Sequence, residues 1–440
     1  MMRTIDLGRF VDAAARARRS QPEGRVRQAL GQLVEVEGID APIGSELEIV
    51  GEGAVRLEVL GFRGEILVAA PLGRTSGIAK HARVRLSTRA ASIATGDALL
   101  GRVIDAFGRP LDGGPPPACD GSAAIHAPPP RAFERRPIDE LFDTGVRAID
   151  ALMPFGRGQR VGLFAGAGVG KTTLLGMMCR SADVDVVVVG LIGERGRELG
   201  DFVRHALGPE GLARSVVVAA TSDLPPLVRV RGALVATAIA ESFRRKGKNV
   251  LLVMDSVTRF AMALREATLA AGEPPLTKGY TPSVFAALPA LLERAGRGGP
   301  GEGAITALYT VLVEGDDMTE PVADAAKGIL DGHVVLTRAL ADRGLFPAID
   351  VLRSISRVAP EVAPPEQMRI VGRLRDLMAA DEDARDLVRV GAYVSGSDPR
   401  VDAARVVAPL IEGLVRQSHR EAVTREAALA ELGAIAERLP

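Results

Sequence analysis

The run Phe164-Ala165-Gly166-Ala167-Gly168-Val169-Gly170-Lys171-Thr172-Thr173 constrains the fold more than any other stretch of this chain. Its glycines let successive backbone N–H groups turn toward one point without interference from Cβ atoms. Such a loop works only where a strand ends and a helix begins, and the flanks supply both: Val161 to Phe164 is apolar and Leu174 to Met178 is helix-prone. In that setting Gly166, Ala167, Gly168, Val169, Gly170 and Thr173 cradle a polyphosphate, Lys171 reaches its β- and γ-phosphates, and the Thr172 hydroxyl ligates Mg²⁺. The strict pattern has Gly where this chain has Ala165, a residue small enough to be tolerated. The competing reading, a Gly-rich turn ending in a surface lysine, seldom supplies a threonine directly after it.

A chain of 440 residues exceeds one ordinary core, so two or three domains are expected, and an apolar fraction of 47% suffices to build them. Fifty-five Lys and Arg balance fifty-five Asp and Glu, which removes the bulk electrostatic case for nucleic acid as the main partner. Aromatic residues make up only 3% and Trp is absent, so stacking platforms for single strands are scarce as well. The two cysteines, Cys119 and Cys179, form no CxxC pair or metal-ligand spacing, which suits a reducing cytosol. No uncharged apolar stretch reaches the roughly 18 residues that span a bilayer, and no signal-peptide pattern opens the chain, so a cytoplasmic location is expected.

Residues 1–20 read as an amphipathic helix in which Ile5, Leu7, Phe10, Val11 and Ala14 are interrupted by Arg9, Arg16, Arg18 and Arg19. The segment is either a docking helix for a partner or an anionic membrane surface, or a basic tail. From Gly31 to Leu86 short alternating runs, among them Leu33 to Val36, Leu47 to Val50, Val55 to Leu60 and Ile66 to Ala70, predict a small antiparallel barrel. Pro115 to Pro117 and Pro128 to Pro130 mark links that cannot sit inside a sheet. Beyond Thr144 strand and helix signals alternate, as in an α/β fold whose parallel sheet is covered on both faces. Strands are expected at Val186 to Val189, Val216 to Ala220, Val250 to Met254, Ile305 to Val313 and His333 to Leu336. After Pro364 only helical periodicity remains. The expected division is 1–20 for the helix, 21–95 for the barrel, 96–364 for the nucleotide domain and 365–440 for a helical domain.

Hydrolysis needs a metal anchor, a group that polarises water and positive charge for the departing phosphoryl. The run Val250 to Met254 ends in Asp255, which puts a carboxylate at the strand edge where open α/β sheets bind ligands. Asp255 there binds Mg²⁺ through its water shell; alternatively it caps a helix before Ser256. Likewise Val186 to Val189 leads through Gly193 to Glu194, a carboxylate able to orient and deprotonate the attacking water. Its competing role is surface pairing of Glu194 and Glu198 with Arg195 and Arg197.

Six longer stretches carry a family resemblance: GERGREL (Gly193 to Leu199), MDSVTRFA (Met254 to Ala261), GEPPLTKGYTPSVFAALPALLERAG (Gly272 to Gly296), EGDDM (Glu314 to Met318), ILDGH (Ile329 to His333), and PAID followed by SISRV (Pro347 to Asp350, Ser354 to Val358). Together they resemble the ATPases of flagellar and virulence type III protein export, relatives of rotary ATP synthase catalytic subunits. The match runs from about Gly31 to near Asp402. It implies an N-terminal β-barrel, a RecA-like P-loop ATPase domain with a mostly parallel sheet, and a C-terminal α-helical domain, assembled as a homohexamer with ATP sites between neighbours. By motif, Lys171 and Thr172 hold phosphate and Mg²⁺, Glu194 is the catalytic carboxylate, Asp255 is the strand-end aspartate, and Arg195 helps hold the phosphates. Phe346 stands where such proteins usually have a tyrosine packed on adenine, and it keeps the ring face. Arg357 matches the arginine that a neighbouring subunit inserts toward the γ-phosphate, with a local salt bridge as the bland alternative.

Val390-Gly391-Ala392-Tyr393 and Gly396-Ser397-Asp398-Pro399 lean toward the flagellar branch over the injectisome. The resemblance further implies a stator-like regulator on the N-terminal helix, chaperones with their export substrates on the C-terminal helices, and peripheral attachment at the export gate of the inner membrane. Competing readings are a rotary ATP synthase or proton-pump subunit, a hexameric RNA translocase, which balanced charge and scarce aromatics disfavour, and a ring component without turnover.

Overall fold

The computed structural model describes residues 22–51, 55–87, 91–313, 315 and 317–439, so the candidate N-terminal helix at 1–20 lies outside the described residues. The chain forms two compact units, one ending at Ala91 and one running from Ser92 to Pro440.

In the first unit β1 (Glu23–Leu30), β2 (Leu33–Glu37), β3 (Glu46–Ile49), β4 (Arg56–Arg63), β5 (Ile66–Pro71) and β6 (Arg83–Leu86) close a barrel in the order β1-β2-β5-β4-β3-β6. Alternation does the work: Val34 and Val36, Leu57 and Val59, and Leu67 and Ala69 point into one core with Leu47 and Val84. Closure leaves no unpaired strand edge. The barrel starts earlier than the sequence pattern suggests, because β1 buries only Gly24 and Val26 and reads as polar.

The second unit opens with β7 (Ser92–Thr95), β8 (Arg102–Asp105), β9 (Gly121–Ala124), β10 (Leu141–Phe142) and β11 (Phe155–Gly156). β7 pairs with β9 and β10 with β11, both antiparallel. There follow β12 (Arg160–Ala165), β13 (Val186–Ile192), β14 (Ser215–Ala220), β15 (Asn249–Asp255), β16 (Gly296–Arg297), β17 (Ala304–Leu312), β18 (Gly332–Leu336) and β19 (Ile349–Ser356). They build a sheet of order β19-β18-β12-β17-β15-β13-β14-β8, with β16 attached to β17. Pairing is parallel except for β19 on β18 and β16 on β17. The central strands are buried along nearly their whole length, which explains their unbroken hydrophobicity. β8 and β19 were not anticipated, since both are short or half-polar edge strands.

Three helices, Pro365–Arg389, Pro399–Val415 and Arg425–Ala436, end the chain. Their Val371, Leu374, Val407, Ile411 and Leu432 pack into the same core as Ile149, Leu163 and Leu174 of the nucleotide region. The C-terminal helices are therefore seated on the element that carries the phosphate loop. Among the described residues no helix is long and apolar enough to cross a membrane.

Candidate active site

Every parallel strand ends at one edge of the sheet, and the phosphate loop leaves β12 there. Ala165 is the last residue of β12, fully buried and paired with Leu312 and Leu336. Extended backbone accepts a Cβ, which is why alanine serves where the strict motif has glycine. Left-handed backbone is needed farther on, at Gly168 (φ 78°) and Gly170 (φ 91°), the residue that precedes the helix Lys171–Ser181. That helix forms because Leu174, Leu175, Met177 and Met178 share its buried side, and Gly176 lets its backbone approach Ala206. Val169 is buried in the core, so its part in the loop is its backbone. Gly166, Ala167, Gly168, Gly170, Lys171, Thr172 and Thr173 line a cleft of about 410 Å³.

The two carboxylates arrive at the same cleft from neighbouring strands. Asp255 ends β15 and is 4% exposed; its Oδ1 accepts from Lys171 Nζ at 2.5 Å and from Thr310 Oγ1 at 2.7 Å. It does not cap the following helix. Ser256 does, accepting from Arg259 N at 3.2 Å. β13 delivers Glu194 through Gly193, whose φ of 71° suits glycine and where a Cβ would stand 2.9 Å from Arg259 Cβ. Glu194 Oε1 lies 3.7 Å from Lys171 Nζ. Burial, then a hydrogen bond shared with Glu198, raises the Glu194 pKa to about 7, while the same bond and the Arg195 N–H hold Glu198 low. Below about pH 7, therefore, Glu194 is the member of the pair that holds the proton.

Arg195 lines the mouth of the cleft with a largely exposed side chain 3.9 Å from Glu198. The surface pairing that competed with the catalytic reading thus exists for Glu198 and not for Glu194. Phe346 is 44% exposed, and its ring carbons lie 3.6 and 3.7 Å from where a Gly170 Cβ would stand, beside the phosphate loop. Arg357 stands apart. It follows Ser356, which pairs with Gly332 at the start of β18, whereas Ala165 is level with Leu336 at its end. Four residue steps, about 13 Å of strand, separate the two edges. The Arg357 guanidinium donates to Lys327 O at 3.1 Å, and its backbone N–H to Asp331 O at 2.9 Å.

Two residues escaped the sequence reading. Arg259 lines the cleft from the helix Val257–Ala271, and its Nε is buried with no hydrogen-bond partner among the described residues. Its reach depends on how that helix packs on Gly193, which no local motif announces. Arg338 Nη2 donates to Ala167 O at 2.9 Å and braces the loop from outside.

Comparison with known proteins shows the family. The profile of the ATP synthase alpha/beta family, nucleotide-binding domain, matches residues 145–356, and that of the T3SS EscN ATPase C-terminal domain matches residues 363–434. The flagellum-specific ATP synthase of Salmonella typhimurium is 50% identical over 94% of this chain and 93% of its own. The chain belongs to the flagellar and type III secretion ATPase family. A type 3 secretion system ATPase of Xanthomonas euvesicatoria is 48% identical over 87% of this chain and 86% of its own. Among solved structures, the assembled ATPase EscN of the enteropathogenic E. coli type III secretion system superposes with a TM-score of 0.89 at 41% identity, covering 94% of this chain and all of that one. As an export ATPase the chain has the expected RecA-like α/β core, N-terminal barrel and C-terminal helices, and it acts on ATP.

Proposed function

We propose that this ATPase hydrolyses Mg·ATP in a site that a second copy completes with Arg357, and that six copies form a ring driving protein export. One observation carries the reading: Lys171, Glu194 and Asp255 meet at one edge of the sheet, while Arg357 stands at the other. A single chain holds two halves of different sites.

In each site Lys171 exchanges Asp255 for the β- and γ-phosphates, and the N–H groups of residues 166–170 with Thr173 take other oxygens. Arg259, whose buried Nε has no partner among the described residues, joins them from below, and Arg195 from the mouth. No group of three or more His, Cys, Asp or Glu among the described residues could hold a metal alone. Thr172 and Asp255 nevertheless fit Mg²⁺, an ion that takes one or two protein oxygens and finds its other ligands in phosphate and water. When bound it neutralises charge on the phosphates. Glu194, anionic above about pH 7, takes the proton of the attacking water. Phe346 stacks on the adenine.

The flagellar branch is the favoured setting, with the injectisome as the second reading; relatives of both kinds match at similar identity. EscN has been solved assembled and in complex with its central stalk EscO, which supports a homohexamer around a stalk here. In the proposed division, residues 1–20 bind a stator-like regulator, 21–95 form the barrel, 96–364 burn ATP, and 365–440 receive chaperones with their export substrates. The ring works in the cytoplasm, peripheral to the inner-membrane export gate, without nucleic acid. Hydrolysis per subunit, measured across protein dilution, tests the shared site. The rate must fall as copies separate; a rate independent of dilution contradicts the proposal.

A further inference from the structure

An aromatic ring that offers its face to a base has to be held from behind, and at Phe346 the holder is visible. The Phe346 carbonyl accepts from Gln417 N–H at 3.0 Å. Gln417 lies in the loop after the helix Pro399–Val415 and is only 3% exposed. Its side-chain amide is fully engaged: Oε1 accepts from Arg147 N–H at 2.8 Å, and Nε2 donates to Gly145 O at 2.9 Å and Glu421 O at 3.1 Å. Gly145 and Arg147 open the buried helix Arg147–Leu152, and Gly145 sits against the end of the phosphate-loop helix, where a Cβ would stand 2.3 Å from Ser181 Cβ. Two more bonds close the frame. Arg416 Nη1 donates to Gly344 O at 2.9 Å, and Arg180, in the last turn of the phosphate-loop helix, donates to His419 O at 2.6 Å.

We infer that Gln417 is a positioning residue for the nucleotide base: it ties the Phe346 backbone to the scaffold bearing the phosphate loop and so sets the distance between adenine platform and phosphate cradle. A buried amide carries a desolvation penalty that an apolar side chain of like size avoids, so its three bonds have to place something. What they place is a loop whose own N–H holds Phe346. Removing the amide leaves Arg147 N–H and Gly145 O unpaired and frees that loop to shift.

The inference rests on Phe346 being the adenine platform, and the test separates the two ideas. Calorimetric titration of the full chain with Mg·ATP is set beside titration with Mg·tripolyphosphate, which has the phosphates and no base. Gln417→Ala is expected to weaken ATP binding about ten-fold and tripolyphosphate binding by less than about two-fold. Arg416→Ala, at an exposed position, should give the same pattern at about two- to three-fold and serves if the first variant folds poorly. Equal weakening of both ligands, or none for ATP, overturns the inference and leaves Gln417 a stabilising residue. Phe346→Ala is the control. If it leaves the ratio of the two affinities unchanged, the adenine reading falls and takes this inference with it. If the ratio drops in Phe346→Ala and not in Gln417→Ala, only the role of Gln417 falls. The double variant should bind ATP no worse than Phe346→Ala alone, because the two residues act as one unit.

Discussion

The two edges of the central sheet are built on opposite principles. At the carboxyl ends of the strands, Lys171 and Asp255 neutralise each other in a sheltered cleft, and Glu194 beside them has its pKa raised to about 7. At the amino ends, Arg357 is exposed, pinned through its backbone to Asp331, and pairs with no carboxylate among the described residues. On the proposed reading the first edge receives an anion and moves a proton. The second is a cation just past a strand end that, among the described residues, meets a backbone carbonyl and no carboxylate. On that reading the difference teaches that solvent-facing charge can be as functional as buried charge when a second copy is what it faces.

The largest effect tests the lonely edge. Arg357→Ala should lower turnover by about 10³ to 10⁵ while nucleotide binding and Tm stay near those of the parent. Glu194→Gln should bind nucleotide normally and lose about 10² to 10⁴ in turnover. Neither variant alone discriminates a shared site from a self-contained one. Mixing them does, because a ring holding both kinds of chain contains seams with an intact Glu194 on one side and an intact Arg357 on the other. Partial recovery of hydrolysis on mixing is expected, and a mixture as inactive as its components would break the comparison between the edges.

The sequence made the cleft edge far more legible than the finger edge, for a physical reason. The phosphate loop is local, and Glu194 and Asp255 betray themselves because an all-buried strand must stop where a charge appears. Arg357 carries no such signal: β19 alternates polar and apolar residues like any edge strand, and only the resemblance singles the arginine out. Arg259 went unread because one helical turn separates it from Asp255 and its aim depends on packing against Gly193. The shared proton of Glu194 and Glu198 is equally invisible in a chain of letters, since it needs burial and the turn into the helix Gly196–Asp201 to bring the two carboxyls together.

That proton sharpens the comparison at intermediate magnitude. Because Glu194 must be anionic to act as base and its pKa is raised to about 7, kcat/KM should fall about ten-fold per pH unit below neutrality and level off above it. Glu198→Gln removes the like charge that helps raise the Glu194 pKa and puts an amide N–H within reach of the Glu194 carboxylate, so the acid limb should move to lower pH. Arg357→Ala, at the far edge, should scale the profile down without shifting it. A displaced limb in Arg357→Ala would mean that the edges are electrostatically joined within one chain.

The smallest effect lies inside the phosphate-loop edge, at Ala165, where the demands of strand and ligand meet. If the glycine of the strict motif served phosphate binding at this position, Ala165→Gly would tighten ATP binding. The geometry argues otherwise. Ala165 is the last extended residue of β12, fully buried between Leu312 and Leu336, and the left-handed turns that expose backbone N–H groups begin at Gly168. Glycine there gains no needed freedom; it removes a packed methyl and adds chain entropy to the unfolded state, a loss of about 1 kcal/mol. The expected outcome is a Tm lower by about 2 °C with ATP affinity unchanged within about two-fold. Tighter binding in Ala165→Gly would move the boundary between strand and cradle back to residue 165.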